Sequence, residues 1–323
     1  MDALLSVRNL TTIFESEEGA SRVVDGVSFE IGRGETVGLV GESGCGKTVT
    51  ALSIMRLITS PPGRIAGGEI YFEGSNLLAL PEKSMRKVRG NRISIVFQEP
   101  LSSLNPVFTC GEQVREAIAL HLGLGRRESK ARAIEMLRIV RIPEPEQRYN
   151  AYPHQMSGGM RQRVMIAMAL SCEPLLVIAD EPTSALDVSI QGQIIELLGE
   201  LQARLRMAVL LITHDLAIVA QMVDRVLVMY AGVIFEESPV RELFERPLNP
   251  YTEGLLGSVA KLGVRGGRLA AIPGNVPEPL KLPPGCRFSD RCPKRFDRCF
   301  REEPPLFEVS ATHRSRCWLR GGS

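Results

Sequence analysis

Thr36-Val-Gly-Leu-Val-Gly41-Glu-Ser-Gly-Cys-Gly46-Lys47-Thr48 decides the fold of this chain. Residues 36–40 carry no charge and three β-branched side chains, which suits a buried strand. The eight residues that follow satisfy the phosphate-loop pattern G-x-x-x-x-G-K-[S/T]. Glycines let successive backbone N–H groups wrap phosphate oxygens, and a helix opening at Lys47 adds the positive end of its dipole. Lys47 is placed to reach the β- and γ-phosphates, and Thr48 to ligate Mg²⁺ through its hydroxyl. Gly41, Ser43, Gly44, Cys45, Gly46, Lys47 and Thr48 are therefore the expected nucleotide contacts. A plain strand-to-helix turn is the competing reading. A strand before the loop and a helix after it favour phosphate binding.

Working outward, residues 175–179 form a second unbroken apolar run, as in a parallel strand covered on both faces. It ends in Asp180-Glu181. Asp180 is suited to the Mg²⁺ shell and Glu181 to polarising an attacking water, although the pair alone also reads as an acidic helix cap. A third apolar run, 208–213, leads to His214, and strand 93–97 leads to Gln98. Taken singly, each is an ordinary polar residue at a strand end. In Met156-Ser-Gly-Gly-Met-Arg-Gln-Arg163, Ser157 is a natural N-cap. Gly158 and Gly159 permit close backbone approach where a helix N-terminus favours an anion.

The remaining pattern fills in an α/β domain. Strands are expected over 5–7, 23–31, 69–72, 225–230 and 233–236, the last two flanking a turn at Ala231-Gly232. Helices are expected from Lys47 to residue 58, stopped by Pro61-Pro62-Gly63, through most of 110–140, after Ser157, over 188–205 and over 216–222. Alternating strands and helices imply a largely parallel sheet, with residues from about 99 to 171 as a helical insertion. Beyond about 240 the chain turns proline-rich and loop-like. With 323 residues there is room for one large domain and an appendage. A net charge of +2 gives no general polyanion-binding character. No apolar run approaches the roughly 20 residues of a membrane helix, and the N-terminus lacks a secretory signal. A cytoplasmic chain is expected, acting at a membrane only by docking to embedded partners.

In their order, these motifs resemble the ATP-binding cassette (ABC) family of transport ATPases over about residues 5–236. The resemblance implies a P-loop NTPase (RecA-like) core with an antiparallel β subdomain and a helical insertion, together spanning 1–240. It implies ATP and Mg²⁺ as ligands. Glu181, His214 and Gln98 would serve catalysis, His214 touching the γ-phosphate and Gln98 sensing Mg²⁺ and water. Ser157, Gly158 and Gly159 would close over a nucleotide held by a second, homologous ATPase. Met156 stands where the family usually has Leu. Ser184-Ala-Leu-Asp187 matches the dimer-contacting loop, with Asp187 near the nucleotide. For the adenine platform Phe14 is the nearest fit, and it suits the core equally well.

The tail adds a narrower resemblance. Asn249-Pro-Tyr-Thr252, Ile272-Pro-Gly-Asn-Val-Pro277 and Gly285-Cys-Arg-Phe-Ser-Asp-Arg-Cys-Pro293 resemble the C-terminal extension of peptide-importer ATPases, here 241–323. Most of the chain is similar to the "D" ATPase subunits of bacterial dipeptide import systems. Oligopeptide, nickel and glutathione relatives share the extension. Cys286, Cys292, Cys299 and Cys317 are separated by five, six and seventeen intervening residues, unlike a two-residue zinc knuckle. The resemblance implies that they hold a [4Fe–4S] cluster; zinc and plain reduced thiols are the alternatives. Arg287, Arg291, Lys294, Arg295 and Arg298 would offset the cluster's charge, or form a solvated face or a lipid-headgroup contact. Implied partners are a second ATPase, two transmembrane permeases and a periplasmic or extracellular peptide-binding protein, with no nucleic acid. The implied location is the cytoplasmic face of the inner membrane. A soluble cassette ATPase acting on ribosomes or nucleic acid is the rival class. Such chains often carry two cassettes or long heptad runs; this one has a single cassette and no heptads. Gln98-Glu-Pro-Leu-Ser-Ser-Leu-Asn-Pro106 also resembles the importers' groove for a membrane-subunit helix.

Overall fold

Two long strands, β1 (Leu5–Ser16) and β2 (Gly19–Ile31), precede β3 (Thr36–Val40), which feeds α1 (Lys47–Ile54) through the glycine-rich loop. Next come β4 (Gly63–Phe72), β5 (Ser75–Asn76), α2 (Glu82–Val88) and β6 (Ile93–Val96). The insertion holds α3 (Cys110–Leu122), α4 (Arg126–Ile139) and α5 (Pro145–Arg148), and α6 (Gly158–Leu170) returns to the core. There follow β7 (Leu176–Asp180), α7 (Val188–Leu205), β8 (Ala208–Thr213), α8 (Leu216–Met222), β9 (Arg225–Tyr230) and β10 (Val233–Pro239). The tail carries α9 (Val240–Glu245), α10 (Pro250–Gly257), β11 (Phe307–Glu308) and β12 (Arg314–Ser315). This computed structural model describes residues 3–99, 103–184, 186–258 and 272–321. Pro100, Leu101 and Ser102 of the expected groove segment, and Ala185 of the dimer loop, lie outside them.

A four-stranded antiparallel sheet, β2-β1-β4-β5, stands beside an eight-stranded sheet ordered β11-β12-β10-β9-β3-β8-β7-β6. In the larger sheet β9, β3, β8, β7 and β6 run parallel. Side-chain alternation along these strands divides the interior in two. Val177, Ala179, Val209 and Leu211 face a core shared with α3, α4, α6 and α7. Leu176, Ile178, Leu210 and Ile212 face the second core, closed by the antiparallel sheet and α1. Both faces are dry, so these strands read in sequence as unbroken apolar runs.

Helix α1 ends earlier than the proline stop suggests. Arg56 adopts a left-handed φ of 51°, Leu57 N–H donates to the Leu52 carbonyl at 2.8 Å and Arg56 N–H to Ser53 at 3.0 Å. That is a Schellman end built without glycine. Arg89 adds bonds to the Met55 and Arg56 carbonyls at 2.7 and 3.0 Å. The tail is not merely loop: β12 pairs with β10 and extends the large sheet. Among the described residues, no helix is long and apolar enough to cross a membrane.

Candidate functional site

At the end of β3 the chain must turn under another strand. A Cβ on Gly41 would sit 2.2 Å from the Met229 carbonyl, and one on Gly46 2.7 Å from the Val23 carbonyl. Both glycines have positive φ, 155° and 109°, so space and backbone together exclude other residues. Lys47 is buried and donates to the Gly41 and Glu42 carbonyls at 2.8 and 3.0 Å. Cys45 lies beneath the loop, its sulfur 3.9 Å from the Lys47 ammonium, and burial pushes its thiol pKa up.

Asp180 and Thr48 meet across the first turn of α1, where the Thr48 hydroxyl donates to Asp180 at 3.2 Å. Burial pushes the Asp180 carboxyl above the usual range, opposed by the Thr48 bond and raised further by Glu181. Two hard oxygen donors side by side beside a phosphate loop fit a Mg²⁺ ion that keeps several waters. Glu181 has a left-handed φ of 45°, a strained backbone held by its N–H bond to the Ile212 carbonyl at 2.8 Å. That bend carries its carboxylate off the strand. Gln98 Nε2 donates to one carboxylate oxygen at 3.1 Å and His214 Nδ1 lies 3.4 Å from the other. His214 is exposed, and its neighbour Asp215 caps α8, accepting from Ala217 and Ile218 N–H.

These groups share one open cavity of about 500 Å³, lined by Ser43, Gly44, Gly46, Lys47 and Thr48 on one side and Gln98, Glu181 and His214 on another. That volume lies within the range of small-ligand sites. Val23 and Val49 complete the lining; neither stands out in the sequence. Phe14 is not among the lining residues, and its ring lies against Gly63, where a Cβ would come within 2.8 Å of it.

Ser157, Gly158 and Gly159 do not line this cavity. Ser157 caps α6, accepting from Met160 N–H at 3.3 Å. The two glycines let the helix start settle onto the next segment: a Cβ on Gly158 would lie 3.4 Å from Leu186, and one on Gly159 2.8 Å from Ile190. Asp187, at the N-cap of α7, makes no side-chain cap bond. Ser157, Gly158 and Asp187 are thus gathered on one solvent-facing surface, apart from the chain's own cavity.

Cys286, Cys292, Cys299 and Cys317 are free thiols lining one small internal cavity. Burial pushes the Cys286 thiol up to about 12, reinforced by the other three sulfurs. Cys292 and Cys317 are raised by burial in the same way. Ser289 Oγ, buried in the same lining, has no hydrogen-bond partner. Four sulfurs lining one cavity and an orphaned hydroxyl are donor types suited to a thiolate-bound metal group, but their arrangement is not that of a formed site. As folded here, no group of three or more His, Cys, Asp or Glu among the described residues is arranged to hold a metal ion.

The five basic residues expected to balance such a group are mostly committed elsewhere. Arg287 pairs with Asp25 and Glu303 at 2.6 and 3.0 Å, and Arg291 with Glu42 at 2.7 Å. Lys294 reaches Glu253, and Arg298 reaches Glu302 while covering the Trp318 ring. Arg295 donates to the Ser289 and Asp290 carbonyls. A carboxylate within reach is a stronger draw for a guanidinium than a neutral thiol.

Residues 24–184 match the family described as ABC transporter, and 235–299 the family described as oligopeptide/dipeptide transporter, C-terminal region. The chain is 52% identical over 318 residues to a probable peptide ABC transporter ATP-binding protein, y4tR, of Sinorhizobium fredii, covering 98% of this chain and 95% of that one. It is 50% identical to the oligopeptide transport ATP-binding protein AppD of Bacillus subtilis, over 99% of this chain and 97% of that one. With the dipeptide transport ATP-binding protein DppD of the same species identity is 47%, over 99% and 96%. Among solved structures, an ATP-binding cassette dimer in a post-hydrolysis state with ADP and Pi is similar at a TM-score of 0.66 and 29% identity, covering 73% of this chain and 99% of that one.

Proposed function

Since the chain belongs to the ABC transporter family of ATPases, by its relatives over nearly its whole length, we propose that it is the ATP-hydrolysing subunit of a bacterial peptide importer. One observation carries the hydrolytic reading. The Glu181 carboxylate is held between Gln98 and His214 and faces the phosphate loop across an ATP-sized cavity. In this reading Lys47 and the loop N–H groups grip the phosphates, and His214 meets the γ-phosphate. Glu181 accepts the proton of the attacking water, oriented by Gln98. Asp180 and Thr48 hold Mg²⁺, which when bound neutralises developing phosphate charge. The peptide cargo is carried over from the relatives, two of which are named for oligopeptide and dipeptide transport.

The cassette spans 1–240, with an insertion over about 99–171, and the extension 241–323. Ser157, Gly158, Gly159 and Asp187 complete the nucleotide site of a second ATPase; the exposure of Ser157, Gly158 and Asp187 on a surface away from the chain's own cavity supports this. Phe97, Val107 and Phe108 are exposed apolar residues around the groove segment, which supports docking of a helix from one of two permeases at the cytoplasmic face of the membrane. A peptide-binding protein outside that membrane delivers the cargo. Cys286, Cys292, Cys299 and Cys317 hold a [4Fe–4S] cluster, with Ser289 as a donor toward it. The cluster, when bound, would supply iron to which the four sulfurs coordinate as thiolates.

Purification from membranes tests the whole reading. Recovery with two polytopic permeases and peptide-stimulated ATPase activity in proteoliposomes is expected. Recovery only with ribosomes or nucleic acid would overturn it. Purified without oxygen, the protein should be brown and contain iron and sulfide. A colourless protein with stoichiometric zinc would remove the cluster.

A further inference from the structure

The back of the phosphate loop is gripped by the tail. Arg291 is nearly buried and forks onto Glu42, Nη1 to Oε2 at 2.7 Å and Nη2 to Oε1 at 2.8 Å. Its remaining donors go to the Pro273 and Gly274 carbonyls, at 2.8 and 3.1 Å, and to the Tyr230 hydroxyl at 3.2 Å. Glu42 is the first variable residue of the loop and does not line the cavity. Its N–H donates to the Tyr251 hydroxyl at 3.0 Å, and its carbonyl takes the Lys47 ammonium at 3.0 Å. Tyr251, Tyr230 and Phe288 form a buried aromatic cluster behind it, with ring centroids 4.6–5.3 Å apart. Arg287 supplies a second, indirect brace. It donates to the Ala231 carbonyl at 2.7 Å, and the adjoining Gly232 N–H bonds the Cys45 carbonyl at 2.9 Å.

We propose that Arg291 is a positioning residue for the nucleotide site: the C-terminal extension fixes the phosphate loop in cis and neutralises Glu42 behind the loop that takes the polyphosphate. Two effects follow from this geometry. With Glu42 tied at its side chain and N–H, the loop's donors are ordered before ATP arrives, so less ordering is needed on binding. With the guanidinium removed, a half-buried carboxylate would stand unpaired behind the loop that receives a polyanion. The inference rests on reading the cavity as the ATP site.

The test measures binding of a fluorescent ATP analogue with Mg²⁺ to the purified full-length chain. Arg291→Gln should weaken binding about tenfold, a modest loss for a charge-assisted pair. Turnover at saturating ATP in the assembled transporter should change less than about threefold, because the loop still forms once phosphates hold it. Arg291→Gln with Glu42→Gln should recover most of the affinity, since no unpaired charge is left. A merely structural role in docking the tail would show no such recovery. Parent-like affinity of Arg291→Gln, or a double variant no better than the single one, overturns the proposal. Where the Gln variant does not fold, Arg291→Lys keeps the charge but loses the fork. It should weaken binding about threefold, and unchanged affinity overturns the proposal. In parallel, Lys47→Ala should abolish binding; if it binds normally, it is the ATP-site reading that fails.

Discussion

On the proposed function, catalysis comes down to how one carboxylate is held. Glu181 sits on a backbone bend that a glutamate adopts only under constraint, with Gln98 and His214 on its two oxygens. Replacing it by glutamine keeps the shape and removes the proton acceptor. Glu181→Gln should bind ATP as the parent does and lose about a hundredfold or more in turnover. Single-turnover hydrolysis and equilibrium binding on the same preparation separate the two effects. Unchanged turnover would remove Glu181 from its assigned role.

At the scale of elements, the insertion depends on one close approach. Cys110 and Gly111 N–H donate to the Ala151 and Tyr149 carbonyls at 2.8 and 3.0 Å. A Cβ on Gly111 would lie 2.1 Å from the Tyr149 ring and 2.6 Å from its carbonyl. Gly111→Ala should therefore destabilise the chain by about 3 kcal/mol, read as a lower urea midpoint. Strands β3, β7 and β8 were legible as unbroken apolar runs because both their faces are covered. The phosphate loop and Asp180-Glu181 stand out in the sequence because the chemistry proposed for them demands fixed residue types at fixed spacing. The end of α1 was hidden, since its left-handed residue is Arg56 rather than glycine and its extra cap, Arg89, comes from far along the chain. Strands β11 and β12 are two residues each, too short for any periodicity to register. Val23 reaches the cavity, and Arg291 the back of the phosphate loop, only through tertiary contact, and no local pattern encodes that.

Across the whole molecule, tail and cassette are one hydrogen-bonded body at the β10 edge. Glu236, fully buried, accepts from the Leu248 and Asn249 N–H groups at 2.6 and 3.0 Å and is hydrogen-bonded to His313 at 2.7 Å. Glu236→Leu would leave those three groups dry and unpaired. It should loosen the tail by about 3 kcal/mol, seen as faster amide exchange and protease cutting beyond residue 246 while β3, β7 and β8 stay protected. Equal loss of protection throughout would mean the tail is inseparable from the cassette fold.

The central claim is that this chain contributes the two halves of its surface to two different ATP molecules. On this proposal Lys47 and Glu181 would serve its own nucleotide, and Ser157 a partner's. Photo-crosslinking of azido-ATP to the assembled transporter, scored subunit by subunit, tests this most directly. With Ser157→Arg in this chain, nucleotide trapping should fall at the partner ATPase and persist at this chain's own phosphate loop. Loss confined to this chain's own loop would contradict the account.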